Sequence, residues 1–207
     1  SFAEEWSEAI GASSNLIDMI NDVSIESDQY GMVVFDEGIS DAGYYRWVRY
    51  GYYWYQEWVP YPLAFDLMII PVDGDLPQEQ YEIRGDVEDH DPAGYTNPAP
   101  ALNFAIDSIL DNGYEGNEKV IVLVSDGMPL GSTSYKTQQY RANTITAANR
   151  AEANGIRIHT VTLTSEGYGD YGYGGADFEF NEGLVRNGGY AFRTSDPDKI
   201  RDILITV

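Results

Sequence analysis

The sequence predicts an α/β fold: a doubly wound, mostly parallel sheet with helices on both faces, carrying an aromatic-rich hairpin as an insertion. Three observations lead there. Val120-Ile-Val-Leu-Val124 is a continuous apolar run, the pattern of a strand buried on both faces. Helical patterns on either side of it end in helix-stop dipeptides, Asn112-Gly113 and Asn154-Gly155. A further strand pattern, Ile156 to Leu163, follows the second stop directly, giving the strand, helix, strand order of a parallel crossover.

The remaining elements follow in chain order. Phe2, Trp6, Ala9, Ile10, Leu16, Ile17 and Ile20 have the spacing of an amphipathic helix over Phe2 to Asn21. Tyr30 to Phe35 reads as a short buried strand. Tyr44 to Tyr61 holds ten Tyr or Trp residues and few aliphatic ones. Its partial alternation suggests a hairpin with a turn near Gly51. Phe65 to Val72 is another apolar run and a further strand. After the acidic loop Asp86 to Asp91, Asn97-Pro98-Ala99-Pro100 resembles a helix start, because Asn caps well and Pro is tolerated in a first turn. That helix runs through Leu102, Ala105, Ile106, Ile109 and Leu110. Thr137 to Ala153 and Asp177 to Arg186 read as helices, Tyr190 to Arg193 as a short strand, and Pro197 to Ile205 as a closing helix. The expectation is one domain over residues 1–207, with the aromatic insertion at about 40–64.

Composition bounds the function. Of 207 residues, 34 are acidic and 12 basic, a formal charge of -22. Such a surface repels nucleic acid and anionic lipid and attracts cations or basic partners. It also serves plain solubility. With no cysteine, disulfides and thiolate metal sites are excluded, but the compartment is not fixed. No apolar run approaches the roughly 20 residues of a spanning helix. Ser1 to Trp6 contains two Glu and no basic residue, unlike a signal peptide, so the targeting segment of an exported protein is expected outside this sequence.

In open α/β sheets, ligands bind beyond the carboxyl ends of the strands. Two motifs fall there. One is Val122-Leu-Val-Ser-Asp126-Gly127; the other is Gly94-Tyr95-Thr96-Asn97, followed by Ala99 and Ala101-Leu102. Both resemble metal-binding motifs of von Willebrand factor A domains, in the order usual in that family. Gly155 to Leu163, Asn187-Gly-Gly-Tyr190 and the closing helix are similar too. The resemblance implies a divalent cation, usually magnesium, held by Thr96 and Asp126 at the top of the sheet. It also implies a third contribution from Ser1, as the last serine of an Asp-x-Ser-x-Ser loop whose earlier residues lie upstream. Hydroxyl and carboxylate oxygens suit a hard cation, and an open coordination position accepts a partner's carboxylate. The bland alternative is that Thr96 caps a helix and Asp126 the next turn.

Asp22-Val-Ser24-Ile-Glu26 imitates the first motif in letters only. It follows the first helix and precedes the Tyr30 strand, which puts it at the opposite end of the sheet from Asp126. The resemblance further implies a central strand before Ser1, between the strands at Tyr30 and Val120. Without it, those neighbours keep unpaired backbone groups in the interior. An upstream fragment supplying that strand, on the same or another chain, is therefore an expected partner.

Tyr and Trp bury large area while keeping a polar handle, which enriches them at interfaces. Tyr45, Trp47, Tyr53, Trp54 and Trp58 are the candidate partner-binding residues, against the alternative of a hairpin packed on its own domain. The loop Gly167 to Gly175 lies near a strand's carboxyl end and is a further candidate contact. His90 and His159 are too separated for a zinc site, and His159 falls within a strand. Asp86, Glu88, Asp89 and Asp91 lack the ligand spacing of an EF-hand. Ser1 as an N-terminal nucleophile finds no support in the strand pattern, so the expectation is not an enzyme.

The leading expectation is a cation-assisted protein-binding module for adhesion or assembly. It resembles bacterial extracytoplasmic von Willebrand A domains such as those of Tad-type pilus-assembly proteins, and is expected in the periplasm or at the cell surface. The alternative is a metal-free structural subunit, docked through its aromatic insertion in a larger, membrane-associated complex.

Overall fold

The computed structural model describes residues 29–33, 35, 43–50, 53–60, 64–69, 95–125, 129–163, 177–194, 199 and 203, the strands within 43–69 by their backbone. In chain order the elements are β1 (Gln29–Val33), β2 (Gly43–Tyr50), β3 (Tyr53–Pro60), β4 (Ala64–Ile69), α1 (Pro98–Asn112), β5 (Val120–Ser125), α2 (Ser134–Ala153), β6 (Arg157–Leu163), α3 (Phe178–Glu182) and β7 (Ala191–Thr194).

The α/β class is borne out in a three-stranded parallel sheet of order β5-β6-β7. Its register runs from Val120 opposite Arg157 to Ser125 opposite Thr162, and from Thr160 opposite Ala191 to Leu163 opposite Thr194. Parallel neighbours need a long crossover, and α2 supplies it between β5 and β6. Both faces of the sheet are covered by apolar groups. On one side Ile121, Leu123 and Ile158 join Leu102, Ile106 and Ile109 of α1, Ala147, Ala148 and Ala151 of α2, and Phe180 and Leu184. On the other, Val161 packs with Val122, Val124, Leu163, Phe192 and Ile203. Two apolar faces account for the unbroken Val/Ile run of β5.

The helices carry their own start and stop signals. Pro98 and Pro100 occupy the first turn of α1, where a missing N–H costs nothing. Its end is set by Gly113, whose N–H donates to the Ile109 carbonyl at 3.0 Å and where a Cβ would meet that oxygen at 2.4 Å. In α2 the Thr133 hydroxyl accepts from the Lys136 N–H at 3.2 Å. Because Ala147, Ala148 and Ala151 face the core, α2 approaches α1 closely. Arg150 then reaches from α2 to Asp107 and to Asn103 on α1, the latter at 3.1 Å. Full burial of Ile106, Ile156, Ile158 and Leu184 contributes about 1.5–3 kcal/mol each.

The other strands pair separately. β1 and β4 are antiparallel, from Gln29 opposite Ile69 to Val33 opposite Ala64, with an irregularity between Tyr30 and Met32. β2 and β3 are antiparallel from Gly43 opposite Pro60 to Tyr50 opposite Tyr53. This is the antiparallel pairing that the sequence predicts within Tyr44 to Tyr61; the expected turn near Gly51 lies outside the described residues. The described strands thus form three sheets, and β1 and β5 share no ladder. They do share a helix. The Gln29 side chain donates to the Asn112 carbonyl and accepts from the Tyr114 N–H, both at 2.9 Å, at the end of α1. Phe35 packs against the α1–α2 cluster. β1 therefore starts beside the end of α1.

Some boundaries differ from the sequence pattern. α2 begins at Ser134, three residues before the expected Thr137, and α3 spans five residues before a turn takes over. The expected first helix, the acidic loop with His90 and the Gly167 to Gly175 loop lie outside the described residues. Of the closing helix, Lys199 and Ile203 are described, both helical.

The turn into β7 shows why Asn187-Gly188-Gly189 stand together. Asn187 and Gly188 have φ of 52° and 76°, a region that Asn and Gly tolerate best. The Asn187 amide donates to the Ile156 carbonyl at 2.9 Å. At Gly189 a Cβ would lie 2.0 Å from the Ile158 carbonyl oxygen. Gly189→Ala must therefore push β6 and its turn apart, with an expected loss of about 3 kcal/mol, read from urea unfolding midpoints.

His159 is a buried polar group within the sheet. Its Nδ1 accepts from the Tyr190 N–H at 3.2 Å, which fixes the neutral tautomer with the proton on Nε2. That Nε2 is buried with no hydrogen-bond partner. Burial, and secondarily the charge of Arg157, push its pKa down, against a smaller opposing pull from Glu118. A lowered folded pKa means that the native state refuses a proton the unfolded chain accepts. The stabilisation is complete above the ordinary value of about 6.5 and is lost as pH falls towards the folded pKa. The melting temperature of the parent is expected to fall more steeply below that pH than that of His159→Gln. Parallel slopes in scanning calorimetry would refute the assignment.

Candidate functional site

The carboxyl ends of β5, β6 and β7 are level with one another, through the pairs Ser125–Thr162 and Leu163–Thr194. At this rim Thr96 and Leu130 form an isolated antiparallel bridge. Each N–H donates to the other's carbonyl at 2.9 Å. The residue that immediately precedes the start of α1 is thereby tied to the loop that leaves β5. Thr96 itself is half-buried, and Asn97 and Pro98 behind it are buried. Since the bridge uses the Thr96 backbone groups, a ligand role falls to its hydroxyl.

The far side of that loop is pinned as well. The Gly131 N–H donates to the Thr137 hydroxyl at 3.0 Å, in the first turn of α2. A Cβ on Gly131 would come within 2.6 Å of the Lys136 Cβ and 2.9 Å of the Thr137 nitrogen. Leu130 and Gly131 are thus held at Thr96 and at α2, and Asp126 follows β5 in the sequence. Asp126 and Ser1 lie outside the described residues. Of the three candidate metal ligands, the structure places Thr96 and brings it to the loop that contains Asp126. Among the described residues no three His, Asp or Glu side chains gather into a metal-holding group. The donor types of the candidate set, hydroxyl and carboxylate oxygens, fit a hard divalent cation.

Polar groups that the sequence did not single out occupy the neighbouring part of the rim. Asp177 accepts from the Phe180 N–H at 2.9 Å and pairs with Arg141 at 2.7 Å. The Arg141 guanidinium lies 4.4 Å from the centre of the Phe180 ring. Beneath them Asn181 donates to the Thr162 hydroxyl at 2.9 Å, and both residues are buried. The available signal was Asp177 three residues before Phe180, a capping position, but Arg141 is distant in sequence.

The candidate docking residues are placed by strand register. Tyr45 stands opposite Trp58, Trp47 opposite Gln56, and Trp54 opposite Arg49. With a side-chain period of two, Tyr45, Trp47, Trp54 and Trp58 share one face of the β2–β3 hairpin. Tyr53, opposite Tyr50, falls on the other face together with Tyr44 and Tyr55. The five candidates therefore divide between two faces.

No protein-family model matches the chain, and no curated protein does. Among solved structures, the chain is similar to the pilus adhesin SpaC from Lactobacillus rhamnosus GG in its open conformation, with a TM-score of 0.64 at 13% sequence identity. That match covers 98% of this chain and 27% of the adhesin. A second crystal form of SpaC matches with a TM-score of 0.63, also at 13% identity, over 97% of this chain. At this identity the likeness is one of fold. The chain spans about a quarter of the length of the structures it matches. Among the described residues no helix is long and apolar enough to cross a membrane.

Proposed function

We propose that this chain is a von Willebrand A-type domain that binds a partner protein in adhesion or assembly at the cell surface, with a divalent cation at the rim where Thr96 meets the β5 loop. The observation that carries the reading is the Thr96–Leu130 bridge, which draws a hydroxyl-bearing loop and an Asp-bearing loop together beyond the carboxyl end of a parallel strand. Magnesium is the expected ion, held by Thr96 and Asp126 and completed by Ser1. A partner carboxylate would take the open position. The excess negative charge favours the cation electrostatically. The adhesin likeness supports a surface location and a binding role, and no catalytic role is proposed.

The partner reading extends to the strands themselves. β5 is the outer strand of its sheet among the described residues, although its sequence is that of an inner strand. β1 contacts α1, the helix that also covers β5. A strand supplied from upstream of Ser1 would pair with both and join the sheets. The second reading, a metal-free subunit docked through its hairpin, draws on the aromatic residues of β2 and β3. It gains if chelator has no effect while hairpin substitutions abolish assembly.

Two measurements test these readings. Magnesium is expected to raise the melting temperature through binding to the native state. Asp126→Ala should abolish that shift and Thr96→Ala should reduce it. Without metal, Thr96→Ala should melt as the parent does, since the bridge is made by backbone atoms. No response of the parent to magnesium or to chelator would refute the cation site. Separately, a longer version of the chain that includes one more upstream strand is expected to melt well above the chain that begins at Ser1. Equal melting temperatures would refute the strand-completion idea.

A further inference from the structure

The chain holds three Asn-Gly pairs, Asn112-Gly113, Asn154-Gly155 and Asn187-Gly188, and each asparagine is exposed. At such a pair the glycine nitrogen, unhindered by a side chain, can attack the neighbouring carboxamide. The nitrogen bonds to the Asn Cγ, the Cγ–Nδ2 bond breaks, and Nδ2 leaves as ammonia with the proton from the glycine N–H. Water then opens the cyclic imide at either carbonyl, giving aspartate or isoaspartate. Three things must come free first: the carboxamide, the glycine N–H and the backbone between them.

The structure separates the three pairs. The Asn154 amide donates to the Arg150 carbonyl at 2.8 Å, and the Gly155 N–H to the Glu152 carbonyl at 3.1 Å. The Asn187 amide is held twice, by the Ile156 carbonyl at 2.9 Å and the Glu152 carbonyl at 3.3 Å. Among the described residues, no group holds the Asn112 carboxamide. Its glycine N–H closes the end of α1 by donating to the Ile109 carbonyl at 3.0 Å. The restraint on this pair comes from another element. Gln29 on β1 donates to the Asn112 carbonyl and accepts from the Tyr114 N–H, so its carboxamide clamps the chain on both sides of Gly113. Cyclisation turns the Asn112 carbonyl and breaks that clamp. In the isoaspartyl product the chain runs through the former side-chain carbon, and the carbonyl that Gln29 grips has become a free carboxylate. Either product places a new negative charge beside Asp111 at the carboxyl end of a helix, where it is unfavourable.

We propose that Asn112-Gly113 is a deamidation site guarded by the Gln29 clamp, and that its conversion releases β1 from α1. The site stands apart from the cation and from the strand-completion reading. To test it, the full chain is incubated at mildly alkaline pH and digested, and mass spectrometry follows amide-to-acid conversion in each Asn-Gly peptide. Asn112 should convert first, ahead of Asn154 and Asn187 by about fivefold or more, the factor of one net hydrogen bond. Gln29→Ala should speed Asn112 by a similar factor and leave the other two pairs unchanged. Gln29→Glu keeps the acceptor for Tyr114 but loses the donor to Asn112, and should speed it too. If Gln29→Ala speeds all three pairs alike it has lost the fold, and Gln29→Glu then decides. Converted protein, separated on an anion exchanger by its added charge, should show faster hydrogen exchange across Gln29–Val33. The proposal is overturned if Asn154 or Asn187 leads, or if no pair converts while a free peptide of residues 109–116 does. It is equally overturned if the Gln29 variants leave the Asn112 rate unchanged, or if exchange in β1 is the same before and after conversion.

Discussion

Two backbone hydrogen bonds, between Thr96 and Leu130, fix the arrangement on which the candidate rim depends. Neither loop belongs to the main sheet ladder. One leads into α1 and the other leads out of β5, and without the bridge each would be positioned by its own element alone. Because α1 is locked to α2 by the Leu102, Ile106, Ile109 and Ala147, Ala148, Ala151 contact, the bridge connects the rim to the packed core. Residues 95–97 and 129–131 are thereby tied to one another and to the core.

Much of the architecture was legible in the sequence, for identifiable reasons. Val120 to Val124 could be read because a strand covered on two faces has no polar position to confuse the pattern. α1 could be read because Asn97-Pro98 and Asn112-Gly113 mark both of its ends. The sequence pattern does not mark the start of α2, since Ser132-Thr133-Ser134 offers three adjacent residues able to cap and only the geometry selects Thr133. α3 is shorter than the apolar pattern suggests because the residues after Glu182 serve a turn and the core position of Leu184.

The candidate site was legible to a lesser degree. Thr96 and Asp126 each announce a loop at a strand's carboxyl end, but no periodicity links residues thirty positions apart. The bridge through Leu130 provides that link for Thr96, and Leu130 carries no motif. The hairpin presents the reverse case. Its aromatic content is conspicuous in the sequence, yet how those residues divide between the two faces depends on which are opposite one another. A slip of one residue would exchange the two sets.

The position of the tryptophans has a consequence for how this molecule is observed. Three of its four tryptophans belong to β2–β3, which pair as a two-stranded sheet separate from the β5-β6-β7 ladder. Intrinsic emission therefore reports the optical surroundings of a two-stranded ribbon, whereas far-ultraviolet circular dichroism is dominated by the backbone of the two long helices. The two spectra watch different parts of one polypeptide, and their agreement or divergence on heating measures how strongly the ribbon is coupled to the rest.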